Sequence, residues 1–206
     1  MCLSTQIGVN MTITKIEKLD KGKYKIYIDN EYCFCLYQKD LSLHHLNEYS
    51  DITDTVYQDI YQNTVLRRAK QKAMAILKFM DRTEQELIFK LKQADYSDTV
   101  ISDALAYIKN FHYIDDERYA LNYIRFKKDT KSKRQIYAEL IQKGIDKRYI
   151  DQAFSEEYES EDSAVQKAIA KKTKDVDAMT EEEKTKLTAS LYRKGFQLDL
   201  IKKYIK

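Results

Sequence analysis

The sequence predicts a mainly α protein. Three tandem three-helix, helix-turn-helix-like repeats are expected in an elongated curved arrangement, preceded by a small α+β N-terminal module with a three-stranded antiparallel sheet. Three observations carry this. The 206 residues include no Pro and four Gly, too few turn residues for an all-β fold. A charged fraction of 33% beside 43% apolar residues fits long helices with one solvated face. A pattern also recurs about every 50 residues, the mark of stacked supersecondary units.

The recurrence is read by setting Leu91 against Leu140 and Leu191, which aligns KLKQADY, ELIQKGI and SLYRKGF. In that register Leu87 meets Ile136 and Leu187, and Tyr96 meets Ile145 and Phe196. Ile101 meets Ile150 and Ile201, and Leu105 meets Phe154 and Ile205. The turn position reads Asp95, Gly144, Gly195. Gly suits a helix that must end in a left-handed residue, and Asp tolerates that conformation better than most.

Taken in order, residues 1–11 carry neither the basic start nor the apolar core of a signal peptide. They are expected to be a disordered extension or the product of an upstream start codon. Residues 12–61 form the α+β module. Thr12–Lys18, Tyr24–Ile28 and Tyr32–Tyr37 alternate as strands, with turn signals at 20–23 and a tight hairpin at Asp29-Asn30. Short helices over Gln38–Tyr61, carrying Leu41, Leu43, Leu46, Ile52, Val56 and Ile60, are expected to cover one face, without which three strands do not hold.

The first repeat, 62–114, opens with a long helix from about Tyr61 to Met80. Thr83 and Glu86 are spaced as a capping box for its second helix. Ser97 is placed to cap the third, whose apolar face is Val100, Ile101, Ala104, Leu105 and Ile108. The second repeat, 115–160, begins where Asp115, Asp116 and Glu117 meet a helix dipole, and SEEYESED at 155–162 is an acidic linker or exposed helix end. The third, 161–206, is the most diverged, with a longer loop over Thr173–Thr180.

Net charge is only +3, so any polyanion site must come from local clustering. Residues 1–62 carry net −3 and residues 63–206 net +6, which points to the repeats. Cations gather near the end of the first helix of each one. The candidates for nucleic-acid or filament binding are Arg67, Arg68, Lys72, Lys78 and Arg82 in the first. In the second they are Arg125, Lys127, Lys128, Lys131, Lys133 and Arg134, and in the third Lys171, Lys172 and Lys174. Basic residues there also complement the helix macrodipole, the ordinary role of any single one. Threefold recurrence is what suggests a stripe along a phosphate backbone. Tyr119, Tyr123 and Tyr137 lie near the second cluster and could stack on bases, although half-buried packing is the commoner use of Tyr.

Helix capping explains Asp115 and Asp116 better than a metal, and no metal is expected. Cys2, Cys33 and Cys35 make neither a disulfide framework nor a zinc pattern. No phosphate loop, nucleophile elbow or zinc-protease motif is present, so no enzyme activity and no cofactor are expected. No apolar run is long enough to cross a membrane. A cytoplasmic monomer is the expectation.

Three segments carry a family resemblance: Arg82-Thr83-Glu84-Gln85-Glu86-Leu87, Tyr113 to Ala120 (YIDDERYA), and Glu139 to Ile145 (ELIQKGI). The chain resembles the RecX regulatory proteins of bacteria over about residues 62–206, and its N-terminal module is like that of the longer members. A Gly is usual in that family where this chain has Asp95, and often also in the loop after Lys128. The resemblance implies a non-enzymatic modulator that binds RecA recombinase and the RecA–single-stranded DNA filament. It implies suppression of ATPase, strand exchange and co-protease activity, in recombination, DNA repair and the SOS response. Two other readings stay open: a sequence-specific helix-turn-helix regulator, and a protein-only helical scaffold.

Overall fold

The computed structural model describes residues 11–205. Apart from Met11, the expected extension lies outside the described residues. The chain divides into two compact units. One holds the residues up to Asp81 with Leu87–Ile114, and the other holds Arg82–Glu86 with Asp115–Lys206.

The first unit opens with strands β1 (Met11–Lys18), β2 (Lys23–Ile28) and β3 (Glu31–Tyr37). The sheet has a fourth strand where three were expected. β4 (Asp51–Ile52) pairs antiparallel with Met11 and Thr12, giving the order β3-β2-β1-β4. Two residues are too few to display a period-2 alternation, and they sit inside the stretch whose Leu, Ile and Val spacing reads as covering helices. At the β2–β3 hairpin, Asp29 and Asn30 both take positive φ, 49° and 69°, the mirror-image turn that matches strand twist.

Ile13, Ile26, Ile28, Phe34 and Leu36 form the buried side of the sheet. Helices α1 (Gln38–Leu43) and α2 (Asp54–Asp59) and a π-helical stretch, Ile60–Leu66, cover it with Leu41, Ile60, Tyr61, Val65 and Leu66. The expected long opening helix is therefore wound in two ways, since α3 (Arg67–Phe79) continues directly from the π-helical stretch.

α3 and α5 (Asp98–Asn110) each serve two cores. Ala69, Val100 and Ala104 join the sheet's core. Ala73, Ile101, Leu105 and Ile108 close a second one with Leu87 and Leu91 of α4 (Glu84–Lys92). Ser97 stands at the N-cap of α5 in extended geometry, yet its hydroxyl makes no capping bond.

In the second unit α6 (Asp116–Lys127), α7 (Lys133–Gln142) and α8 (Lys147–Glu157) enclose Ala120, Ile124, Ile136, Leu140, Ile145, Ile150 and Phe154. α9 (Asp162–Ala170), α10 (Glu181–Arg193) and α11 (Leu198–Tyr204) enclose Ala164, Val165, Leu187, Leu191, Phe196 and Ile201. Every aligned apolar position is buried except Tyr96, which is half-buried.

The three turns share a left-handed residue: Asp95 at φ 67°, Gly144 at 81° and Gly195 at 90°. What packs against each turn decides between Gly and Asp. A Cβ on Gly144 would lie 2.5 Å from the Gln85 Cβ, and one on Gly195 would lie 2.9 Å from the Ser132 hydroxyl. Asp95 faces the sheet instead, where its side chain has partners. Lys23 Nζ donates to its carboxylate and to the Ala94 carbonyl, each at 3.0 Å, and the Tyr32 hydroxyl donates to the Asp95 carbonyl.

Candidate nucleic-acid interface

The candidate cations fall into two groups according to what lies beside them. Arg68, on α3, is the most internal. Its guanidinium donates to both carboxylate oxygens of Asp40, at 2.6 and 2.9 Å, and lies 5.2 Å from the Tyr37 ring centre. Burial alone would raise the Asp40 carboxyl pKa. The hydrogen bonds from Arg68 and the Tyr37 amide outweigh it, and the net shift is downward. Arg68 thus fastens α1 to α3.

Four cations of the second unit are likewise engaged. Arg82 is half-buried with Glu86 at 3.8 Å. Arg125 pairs with Glu157, and Lys128 Nζ donates to the carbonyl of that residue at 2.9 Å. Lys131 pairs with Glu139, which also accepts the Tyr123 hydroxyl at 2.7 Å. Burial opposes the ionised form of Glu139, but Lys131 and Tyr123 together hold its pKa below the ordinary value.

The side-chain charges of the remaining nine have no carboxylate partner among the described residues: Arg67, Lys72, Lys78, Lys127, Lys133, Arg134, Lys171, Lys172 and Lys174. All are exposed except Lys127, which is half-buried with its ammonium 4.8 Å from the Phe126 ring. Lys133 Nζ lies 5.2 Å from the Phe154 ring. Lys171, Lys172 and Lys174 follow the last turn of α9, where their charge also complements the helix dipole.

The tyrosines pack inward. Tyr119 and Tyr123 stack at 6.0 Å with Lys143 Nζ near both rings, and Tyr137 stacks on Phe154 at 6.1 Å. Lys143 in turn pairs with Glu86 at 2.6 Å. Asp115 caps α6 by accepting the Arg118 amide at 2.9 Å, and Asp116 accepts the Glu84 amide at 2.9 Å. Spacing alone did not reveal two exposed phenylalanines beside candidate cations. Phe79 is 96% exposed next to Lys78, and Phe126 is 77% exposed between Arg125 and Lys127. The signal was an apolar residue out of phase with its own helix's buried stripe.

Comparison with known proteins bears on the whole chain. Models of the first, second and third three-helix domains of RecX match residues 69–107, 115–153 and 159–205. The regulatory protein RecX of Caldanaerobacter subterraneus subsp. tengcongensis is 30% identical over 197 residues, covering 94% of this chain and 98% of its own. The chain belongs to the RecX family.

A RecX of Finegoldia magna is 32% identical over 200 residues, covering 93% of this chain and 97% of its own. The crystal structure of a regulatory protein RecX matches at TM-score 0.63 and 26% identity, over 93% of this chain and 97% of that one. RecX from Lactobacillus salivarius matches at 0.57 and 25%, over 67% and 92%. The three RecX domains coincide with α3–α5, α6–α8 and α9–α11. The N-terminal sheet lies outside the three domain models and inside the span of the full-length relatives.

Proposed function

We propose that this RecX-family chain binds RecA recombinase and the RecA–single-stranded DNA filament, and restrains ATPase, strand exchange and co-protease activity. It acts by occupancy, with no turnover of its own, in the cytoplasm and as a monomer. The observation that carries this reading is the set of unpaired cations in each of the three RecX domains. Lys72 and Lys78 belong to the first, Lys127, Lys133 and Arg134 to the second, and Lys171, Lys172 and Lys174 to the third. Cations whose side-chain charges have no carboxylate partner remain available to displace counterions from phosphate. Among the described residues no helix is long and apolar enough to cross a membrane.

The test is a titration of labelled duplex, bare single strand and RecA-coated single strand. Tightest binding to the coated strand supports the reading. Sequence-dependent binding to duplex, or binding to none of the three, contradicts it.

A further inference from the structure

Between α3 and α5 the first unit has an open cleft of about 540 Å³, lined by Gln62, Arg67, Lys70, Gln71, Met74 and Tyr107. From its edge a run of aromatic rings continues over the surface. Tyr107 and Phe111 are 4.8 Å apart, and Phe111 and Tyr113 are 6.2 Å apart. They are 38%, 51% and 47% exposed, respectively. They stand off the buried stripe of Val100, Ile101, Ala104, Leu105 and Ile108, so the core does not need them. Scattered exposed apolar residues are ordinary, but a contiguous group is not. Aromatics with Met and Arg are the composition of interface centres.

The chemistry narrows the occupant. None of the six cleft residues is acidic, and two are cations. Asp103, one turn before Tyr107, has its carboxylate engaged by the Tyr61 hydroxyl at 2.6 Å. The cleft therefore favours carboxylates beside an apolar group. Stacked bases fit poorly: the ring pairs are tilted by 53° and 32°, and Lys70 Nζ sits 4.5 Å from the Tyr107 ring centre. We infer that the cleft and its aromatic run are a protein-docking surface for a segment with an apolar anchor flanked by carboxylates. Resting on the function proposed above, that segment belongs to the recombinase subunit. Arg67 then meets a carboxylate, and DNA is left to the other unpaired cations.

The experiment compares wild type with Phe111→Ser and Arg67→Glu, each checked for an unchanged melting curve. Binding is measured to RecA without DNA, to the RecA filament and to labelled oligo-dT, and the mass of the free chain is measured by light scattering. Exposed sites of this kind usually leave stability unchanged. Each variant is expected to bind RecA at least about tenfold more weakly. Phe111→Ser should bind oligo-dT as wild type does. If wild type binds RecA and both variants match it, the surface is not the docking site, while the proposed function stands. If Phe111→Ser loses oligo-dT instead, the rings serve bases. If the free chain is a dimer that Phe111→Ser dissociates, the occupant is a second copy. If wild type binds neither RecA nor its filament, the partner named here falls together with the proposed function.

Discussion

Thr83 Oγ1 donates to the carbonyl of Lys143 at 2.6 Å, across 60 residues of sequence, and accepts the Glu86 amide at 3.2 Å. Ser132 repeats the arrangement on the Lys194 carbonyl at 2.6 Å, accepting the Gln135 amide at 3.2 Å. In both cases a helix-capping hydroxyl is fully buried against the residue just before a turn glycine. One short side chain satisfies a helix N-terminus and a carbonyl of the next repeat's turn.

Thr83→Val keeps the shape and removes both bonds. It should cost about 1–3 kcal/mol, the range for orphaning a buried polar group. Thr83→Ser should recover most of the loss. Urea unfolding midpoints check this, and equal midpoints for Val and Ser would show that the hydroxyl contributes nothing.

Gly144 and Gly22 separate backbone strain from crowding. Both have positive φ, 81° and 70°, but a Cβ on Gly22 meets nothing within 4 Å. Gly22→Ala should cost roughly 1–2 kcal/mol for the left-handed backbone alone. Gly144→Ala adds the overlap with Gln85, typically about 1–3 kcal/mol more. Thermal unfolding of the two variants should show Gly144→Ala clearly the worse.

The Asp40–Arg68 pair predicts a pH dependence. The folded-state pKa of Asp40 lies below its ordinary 3.8. Its stabilisation is therefore full above the unfolded value and is lost as pH falls through the folded one. Asp40→Asn should cost about 1.5–3 kcal/mol at pH 7, the range for hydrogen bonds to charged groups. The difference from wild type should shrink below the unfolded carboxyl's pKa. Urea titrations at several pH values read this directly, and a constant difference down to pH 2 would contradict it.

The two groups of cations should respond differently to charge reversal. Replacing Lys171, Lys172 and Lys174 by Glu should weaken binding to single strands at low salt. Each lost phosphate contact should reduce the salt slope by roughly 0.7, with the fold unchanged. Lys131→Glu instead sets a second carboxylate against Glu139. It should lower stability by about 1 kcal/mol while changing the slope little. Salt-dependent anisotropy together with melting curves distinguishes the two.

Much of the fold was legible because its cause is local. Leu91, Leu140 and Leu191 share one register and are all buried to within 1% of full enclosure. The left-handed turns were legible too, since a conformation that few residues tolerate shows in the choice of Gly or Asp. The reason for Asp at 95 was not, because Lys23 and Tyr32 approach it from 72 and 63 residues away. The candidate site divides in the same way. Clusters of Lys and Arg are visible in any linear reading, but the carboxylates that neutralise Arg68, Arg125 and Lys128 lie 28 to 32 residues distant. Only folding showed which cations were already engaged.

The proposed function is tested most directly by the ATPase rate of RecA assembled on single-stranded DNA, titrated with the purified chain at fixed salt. The account predicts that the rate falls as the chain is added. It also predicts that the decline is shallower for the Lys171, Lys172 and Lys174 triple Glu variant. A rate unchanged at saturating chain, with filament assembly confirmed in the same reaction, would contradict it.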